Sequence, residues 1–131
     1  MAQEMSKPHL FLVDDETDLV LVTSLVLTRL GYPVHSYYDG PSALVAAEAL
    51  RPDAILLDIG MHPIDGYEVC RRLRAQAWGQ TVAIIALTGY GQAADVAQAE
   101  EAGFDAHLLK PVGLDRLVEE IRSCVNKRSA A

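Results

Sequence analysis

The stretch "HLFLVDDETDLV", His9 to Val20, sets five mostly apolar residues directly against three acids, Asp14, Asp15 and Glu16. So short and continuous an apolar run reads as a strand covered on both faces, and the acids mark its carboxyl end. Four further runs follow the first: "PVHSY" (Pro33–Tyr37), "AILLD" (Ala54–Asp58), "TVAIIAL" (Thr81–Leu87) and "AHLL" (Ala106–Leu109). Helical spacing fills the gaps. Leu19, Val22, Val26 and Leu30 repeat along a first helix, which Gly31 stops. Asp39-Gly40-Pro41 opens a second that ends before Pro52. A third runs from about Gly66 to Gln76 on Tyr67, Val69, Cys70 and Leu73, and an alanine-rich fourth from Gln92 to Ala102 closes at Gly103. A fifth begins near Leu114 and carries Leu117, Val118, Ile121 and Val125 on one face. Strict strand–helix alternation predicts an α/β fold of the flavodoxin-like type. It has a five-stranded parallel sheet in the order 2-1-3-4-5, with five helices on both faces. The domain is expected over residues 8–126, with 1–7 and 127–131 as frayed tails.

The totals agree with one domain of 131 residues, half of them apolar. A net charge of −7 argues against nucleic acid or an anionic membrane as the direct partner. It suits a cation or a locally basic protein surface. No apolar run approaches the ~20 residues of a membrane span, and the polar start "MAQEMSKP" is no signal peptide, so the chain is expected in the cytoplasm. Cys70 and Cys124 lie far apart in helical patterns and read as reduced packing residues.

In such a sheet ligands bind at the carboxyl ends of the strands, beside the switch point between strands 1 and 3. Strand 1 delivers Asp14 and Asp15 there, strand 3 Asp58, strand 4 Thr88 and strand 5 Lys110. Three crowded carboxylates repel, and burial raises the cost of each charge. Either one stays protonated or a hard divalent cation binds, and oxygen-only ligands in an open, hydrated site favour magnesium. Lys110 can balance charge or await an anion, Thr88 can donate to an anion oxygen, and Gly89 leaves room beside it. These are the parts needed to transfer a phosphoryl group to a carboxylate.

Each residue alone has a plainer reading. Asp15 could simply cap the first helix, with Glu16 and Asp18 favouring its dipole. Asp58 could be a turn residue, "LTGYG" ordinary turn chemistry, and Lys110-Pro111 a strand end. The conjunction in chain order is what discriminates. His9 and His35 read as structural or exposed strand residues, and no histidine pair has zinc-ligand spacing. His62, four residues after Asp58, reads as a neutral loop histidine.

The motifs "VDDE" (Val13–Glu16), "LLDIGMHPIDGYEV" (Leu56–Val69), "ALTGYG" (Ala86–Gly91) and "LLKPV" (Leu108–Val112) resemble the receiver domains of two-component response regulators, from about His9 to Val125. The last two are closest to receivers of hybrid sensor kinases. The resemblance implies that Asp58 accepts phosphate from a histidine kinase or histidine phosphotransfer domain in a phosphorelay. It implies that Asp15, Asp58 and the carbonyl of Gly60 bind Mg²⁺, or Mn²⁺ in its place, with Asp14 acting through water. It implies that Lys110 pairs with Asp58 and then with the phosphoryl group, that Thr88 moves toward that group, and that the bond before Pro111 is cis. Three departures stand out. His107 occupies the place of an aromatic switch residue, three before the lysine. The loop proline is Pro63, with His62 in its usual place. Gly60 puts no side chain over the phosphoryl group, which Tyr90 would cover instead.

The expected function is a phosphorylation switch rather than an ordinary enzyme. Asp58 is phosphorylated, the acyl phosphate slowly hydrolyses, and the face of the fourth helix, fifth strand and fifth helix changes to regulate a downstream protein. A phosphatase of the haloacid-dehalogenase type needs a second Asp where Gly60 stands. A pure interaction module would have no need of all five site residues. The chain is expected to be a stand-alone regulator or a receiver taken from a longer protein.

Overall fold

The computed structural model describes residues 7–89 and 96–129. Its elements alternate as the pattern requires: β1 (Leu10–Val13), α1 (Thr17–Arg29), β2 (Val34–Tyr37), α2 (Gly40–Leu50), β3 (Ala54–Asp58), α3 (Gly66–Arg74), β4 (Ala83–Thr88), α4 (Val96–Ala102), β5 (Ala106–Leu109) and α5 (Leu114–Ser129). All strand pairs are parallel and the sheet order is β2-β1-β3-β4-β5. The flavodoxin-like fold is therefore present as expected.

The sheet is buried from both sides, and alternate strand residues feed two cores. Phe11, Val13, Ile55, Leu57, Ile84 and Ala86 meet Ala43 and Ala47 of α2, Val69, Cys70 and Leu73 of α3, and Ala99 and Ala102 of α4. Leu10, Leu12, Leu56, Ile85 and Leu87 meet Val20 and Leu27 of α1 and Leu117, Ile121 and Cys124 of α5. Each large aliphatic side chain so enclosed contributes about 1.5–3 kcal/mol. Both cysteines are buried and reduced, and burial pushes the Cys70 thiol up to about 12, as befits an inert packing residue. Among the described residues no helix is long and apolar enough to cross a membrane.

Helix boundaries follow local chemistry. Asp39 caps α2 through the Ser42 N–H at 2.8 Å, and Asp65 caps α3 through the Glu68 N–H at 2.9 Å. After α1 the chain turns at Gly31 with φ +99°, a left-handed conformation suited to glycine. The third helix ends at Arg74, before the expected Gln76, and a short 3-10 turn follows at Ala77–Gln80. Of the expected Gln92 start of the fourth helix, residues 92–95 lie outside the described residues.

The expected frayed tail from 127 needs correction. Helix α5 continues to Ser129 because Arg128 binds Asp105 Oδ1 through Nε at 2.8 Å and Nη2 at 2.7 Å, and donates to the Gln80 carbonyl. Asp105 Oδ2 accepts from Arg74 at 3.0 Å and from the Ile84 N–H at 2.9 Å. Arg74 also donates to the carbonyls of Gly79, Val82 and Gly103. This knot ties α3, the 3-10 turn, the starts of β4 and β5, and the end of α5 at the edge of the sheet opposite the acids. At the other end, Lys7 lies 5.0 Å over the Tyr32 ring, and residues 1–6 are outside the description.

Candidate functional site

The parallel register fixes where each polar residue arrives. Val13 pairs with Leu57, so Asp14 and Asp58 leave neighbouring strands at the same level. Asp58 pairs with Leu87, which places Thr88 one residue further along β4. Thr88 pairs with Leu109, and Lys110 follows. Its N–H donates to the Thr88 carbonyl at 2.7 Å.

Asp14, Asp15 and Asp58 each bring a carboxylate oxygen within 4.8 Å of the others. Asp14 and Asp58 are buried and Asp15 is exposed. Asp14 is fully engaged: Oδ1 accepts the Glu16 N–H at 3.0 Å and Oδ2 accepts Lys110 Nζ at 2.8 Å. The plain reading of Asp15 as a helix cap fails, because the capping position of α1 is Glu16 and no side chain caps it. Asp58 differs from its neighbours. Its Oδ1 is buried with no hydrogen-bond partner among the described residues, and Lys110 Nζ stands 3.5 Å away. Burial raises the pKa of Asp58 above the ordinary carboxylate value, and Asp14 and Asp15 push the same way. Lys110 and the Gly60 N–H oppose them. Burial alone would lower Lys110, but hydrogen bonds from its ammonium to Asp14 and Glu16 hold it charged, well above the usual lysine range.

The arrangement fits a hard cation. Among the described residues it offers three carboxylates, one of them with a buried oxygen that lacks a hydrogen bond, against one ammonium. Thr88 is wholly buried, and its hydroxyl lies 2.9 Å from His107 Nε2. The Lys110–Pro111 peptide is cis, as the resemblance implied. His62–Pro63 is cis as well, in the loop where proline and histidine depart from the pattern, and His62 is exposed. Tyr90 lies outside the described residues.

Sequence reasoning missed three features. Glu16 appeared only as a charge favouring the helix dipole, yet its carboxylate accepts Lys110 Nζ at 2.8 Å. Gly66 brings the start of α3 against the strand end: a Cβ there would stand 2.6 Å from the Asp58 carbonyl oxygen. The "DG" step before a helical pattern was the available signal. His9 Nε2 lies 2.7 Å from His35 Nδ1, a pair hidden by 26 positions of sequence but implied once Phe11 pairs with His35.

A cleft of about 240 Å³ opens beside the acids between α1 and α5, with Asp14, Lys110 and Thr23 in a wall otherwise apolar. Val22 and Leu114, both exposed, line it too.

Comparisons with known proteins agree with this geometry. The family model "Response regulator receiver domain" matches residues 10–122. The DNA-binding dual master transcriptional regulator RpaA of Synechocystis is 30% identical over 120 residues, 92% of this chain and 50% of its own. The transcriptional regulatory protein PrrA of Mycobacterium leprae is 35% identical, covering 96% of this chain and 53% of its own. The chain thus spans about half the length of these relatives. The receiver domain of the sensor histidine kinase PA1611 from Pseudomonas aeruginosa, solved with a magnesium ion in its active-site cleft, is 34% identical. It superposes with a TM-score of 0.83 over 91% of this chain and 98% of that one. With the sheet order, the converging acids and a match over most of its length in agreement, the chain belongs to the response regulator receiver domain family.

Proposed function

We propose that this chain is a phosphorylation switch in which Asp58 accepts a phosphoryl group from the phosphohistidine of a histidine kinase or histidine phosphotransfer domain. The observation that carries the reading is the Asp58 Oδ1 atom, buried and without a hydrogen-bond partner among the described residues, 3.5 Å from an ammonium and close to two further acids. A lone buried oxygen is costly unless something is meant to reach it. An Asp58 carboxylate oxygen attacks phosphorus in line. The phosphorus–nitrogen bond of the donor breaks as the new bond forms, and its electron pair returns to the imidazole. Lys110, held charged by Asp14 and Glu16, neutralises the phosphoryl oxygens. Asp15, Asp58 and the Gly60 carbonyl would hold Mg²⁺, or Mn²⁺ in its place, with Asp14 acting through water, and the bound ion supplies further charge neutralisation. The resulting mixed anhydride hydrolyses slowly and resets the switch.

Thr88 then turns toward the phosphoryl group, and the face of α4, β5 and α5 shifts to meet a downstream protein. Helix α4 supports this reading, since its buried residues are only Ala99 and Ala102. Val96 and Leu109 leave apolar surface on the same face. The net charge of −7 favours protein partners in the cytoplasm over nucleic acid or membrane. DNA binding is named for the longer relative RpaA.

The test is acetyl phosphate with Mg²⁺, followed by intact mass. A phosphoryl mass gain in the wild type that Asp58→Asn abolishes supports the reading, and equal labelling of both rejects it.

A further inference from the structure

We propose that His9 and His35 form a second, separate cation site: a two-imidazole chelate for a divalent late transition metal ion such as Cu²⁺, at the opposite end of β1 from the acids. The site is independent of the reading of Asp58, and its failure would leave that reading intact.

The sheet builds the pair. Phe11 pairs with His35 across the β1–β2 ladder, and His9 stands two residues before Phe11, so both histidines fall on one face as diagonal neighbours. Strand β2 is at the edge of the sheet, His35 is exposed and His9 half-buried, so the pair is open to solvent. The backbone of His9 is fixed at both its polar groups: its N–H donates to Asp53 Oδ2 at 2.7 Å, and its carbonyl accepts the Asp53 N–H at 2.9 Å. Phe11 packs against both rings, with its centroid 5.7 Å from that of His9 and 6.2 Å from that of His35. Both ligands are therefore in place before an ion arrives.

The geometry selects the ion. His9 Nε2 and His35 Nδ1 are 2.7 Å apart and the two ring centroids 4.7 Å apart. With metal–nitrogen bonds of about 2.05 Å and a ring radius of about 1.15 Å, two imidazoles at a right angle on one ion put their nitrogens about 2.9 Å and their centroids about 4.5 Å apart; a tetrahedral ion needs about 3.3 Å and about 5.2 Å. The pair thus fits neighbouring positions of a square or octahedral ion better than the tetrahedron of zinc, and imidazole nitrogen suits Cu²⁺ and Ni²⁺. The other positions of the ion face solvent and go to water. Burial first, then His35, lowers the pKa of His9 from 6.5 against the pull of Asp53, so its ring is neutral at pH 7. A neutral imidazole carries one hydrogen. The ring that holds it between the two nitrogens passes it through solvent to its outer nitrogen, and both inner lone pairs turn to the ion with no net proton release. The two ends of β1 then select opposite chemistry, carboxylate oxygen for a hard ion and imidazole nitrogen for a softer one.

The probe is one equivalent of Cu²⁺ added to the intact chain with Mg²⁺ in excess, read by electron paramagnetic resonance and by titration against a competing chelator. Wild type is expected to show nitrogen hyperfine structure from two imidazoles. His9→Gln and His35→Gln are each expected to leave one such nitrogen at most. Each is also expected to weaken Cu²⁺ binding at least about tenfold, since a second ligand already held in place acts at a high effective concentration. His62→Gln, which alters an exposed histidine in the loop after β3, is expected to change neither readout. Undiminished affinity in His9→Gln or His35→Gln, a wild-type spectrum of carboxylate oxygen alone, or loss of the two-nitrogen signal in His62→Gln overturns the site. Each of the two histidine variants decides by itself, so if circular dichroism shows one of them unfolded the other carries the test.

Discussion

Asp58→Asn, which keeps the shape of the side chain and removes its charge, is expected to stabilise the fold in the absence of divalent ions. The magnitude follows from the site. Two acids place oxygens within 4.8 Å and Lys110 Nζ stands at 3.5 Å. At an effective dielectric near 20 each acid repels by about 3.5 kcal/mol and the ammonium attracts by about 4.7, leaving a net penalty of roughly 2 kcal/mol on ionised Asp58. Asparagine escapes that penalty, so its melting midpoint should rise by roughly 3–8 °C at pH 7.5. The folded-state pKa of Asp58 lies above its unfolded value near 3.8, so the folded chain binds the extra proton between the two. The penalty is thus fully present above the folded value and absent below the unfolded one, and the advantage of Asn should vanish by about pH 3.5. Mg²⁺ should close the gap from the other side by stabilising wild type more than the variant. Calorimetric melts of both proteins at the two pH values, with and without Mg²⁺, measure all of this. A lower midpoint for Asn at pH 7.5 without metal, or a gap that survives at pH 3.5, would refute the electrostatic argument.

Lys110→Gln should cut labelling by acetyl phosphate at least about a hundredfold by removing a charge-neutralising group, measured as a rate by intact mass. Arg74→Met leaves three carbonyls and the Asp105 carboxylate short of a donor and should cost roughly 3 kcal/mol in urea unfolding; a loss under about 1 kcal/mol would make the knot dispensable. His9 has its pKa lowered from 6.5 by burial first and by His35 second, so the unfolded chain binds more protons there. Wild type should therefore lose stability relative to His9→Gln as the pH falls below about 6.5, and parallel stability curves from pH 7.5 to 5 would exclude the effect.

The fold was legible because both periodicities were clean. "AILLD" and "AHLL" coincide with β3 and β5 to the residue, and the expected sheet order is the one observed. The convergence of Asp14, Asp58 and Lys110 was legible too, because each follows directly on, or ends, a strand whose register is fixed by its apolar face. Contacts set by side-chain reach rather than by register were not. The turn of Glu16 back to Lys110, the meeting of His9 and His35, and the reach of Arg128 to Asp105 all depend on rotamers and on interatomic distances that periodicity does not encode. The tail was misjudged for the same reason: "NKRS" looks solvated until Asp105 is placed beside it.

The knot around Asp105 has a mechanical consequence. It clamps the floor of the molecule, where β4, β5 and the last turn of α5 meet, while the Thr88 hydroxyl, the His107 imidazole and the Lys110 ammonium stand at the roof. A book bound along its spine opens only at the fore-edge. Displacements started at the roof must therefore grow with distance from Arg74. In amide exchange the first turn of α5 should loosen well before its last, although the last lies closer to the chain terminus.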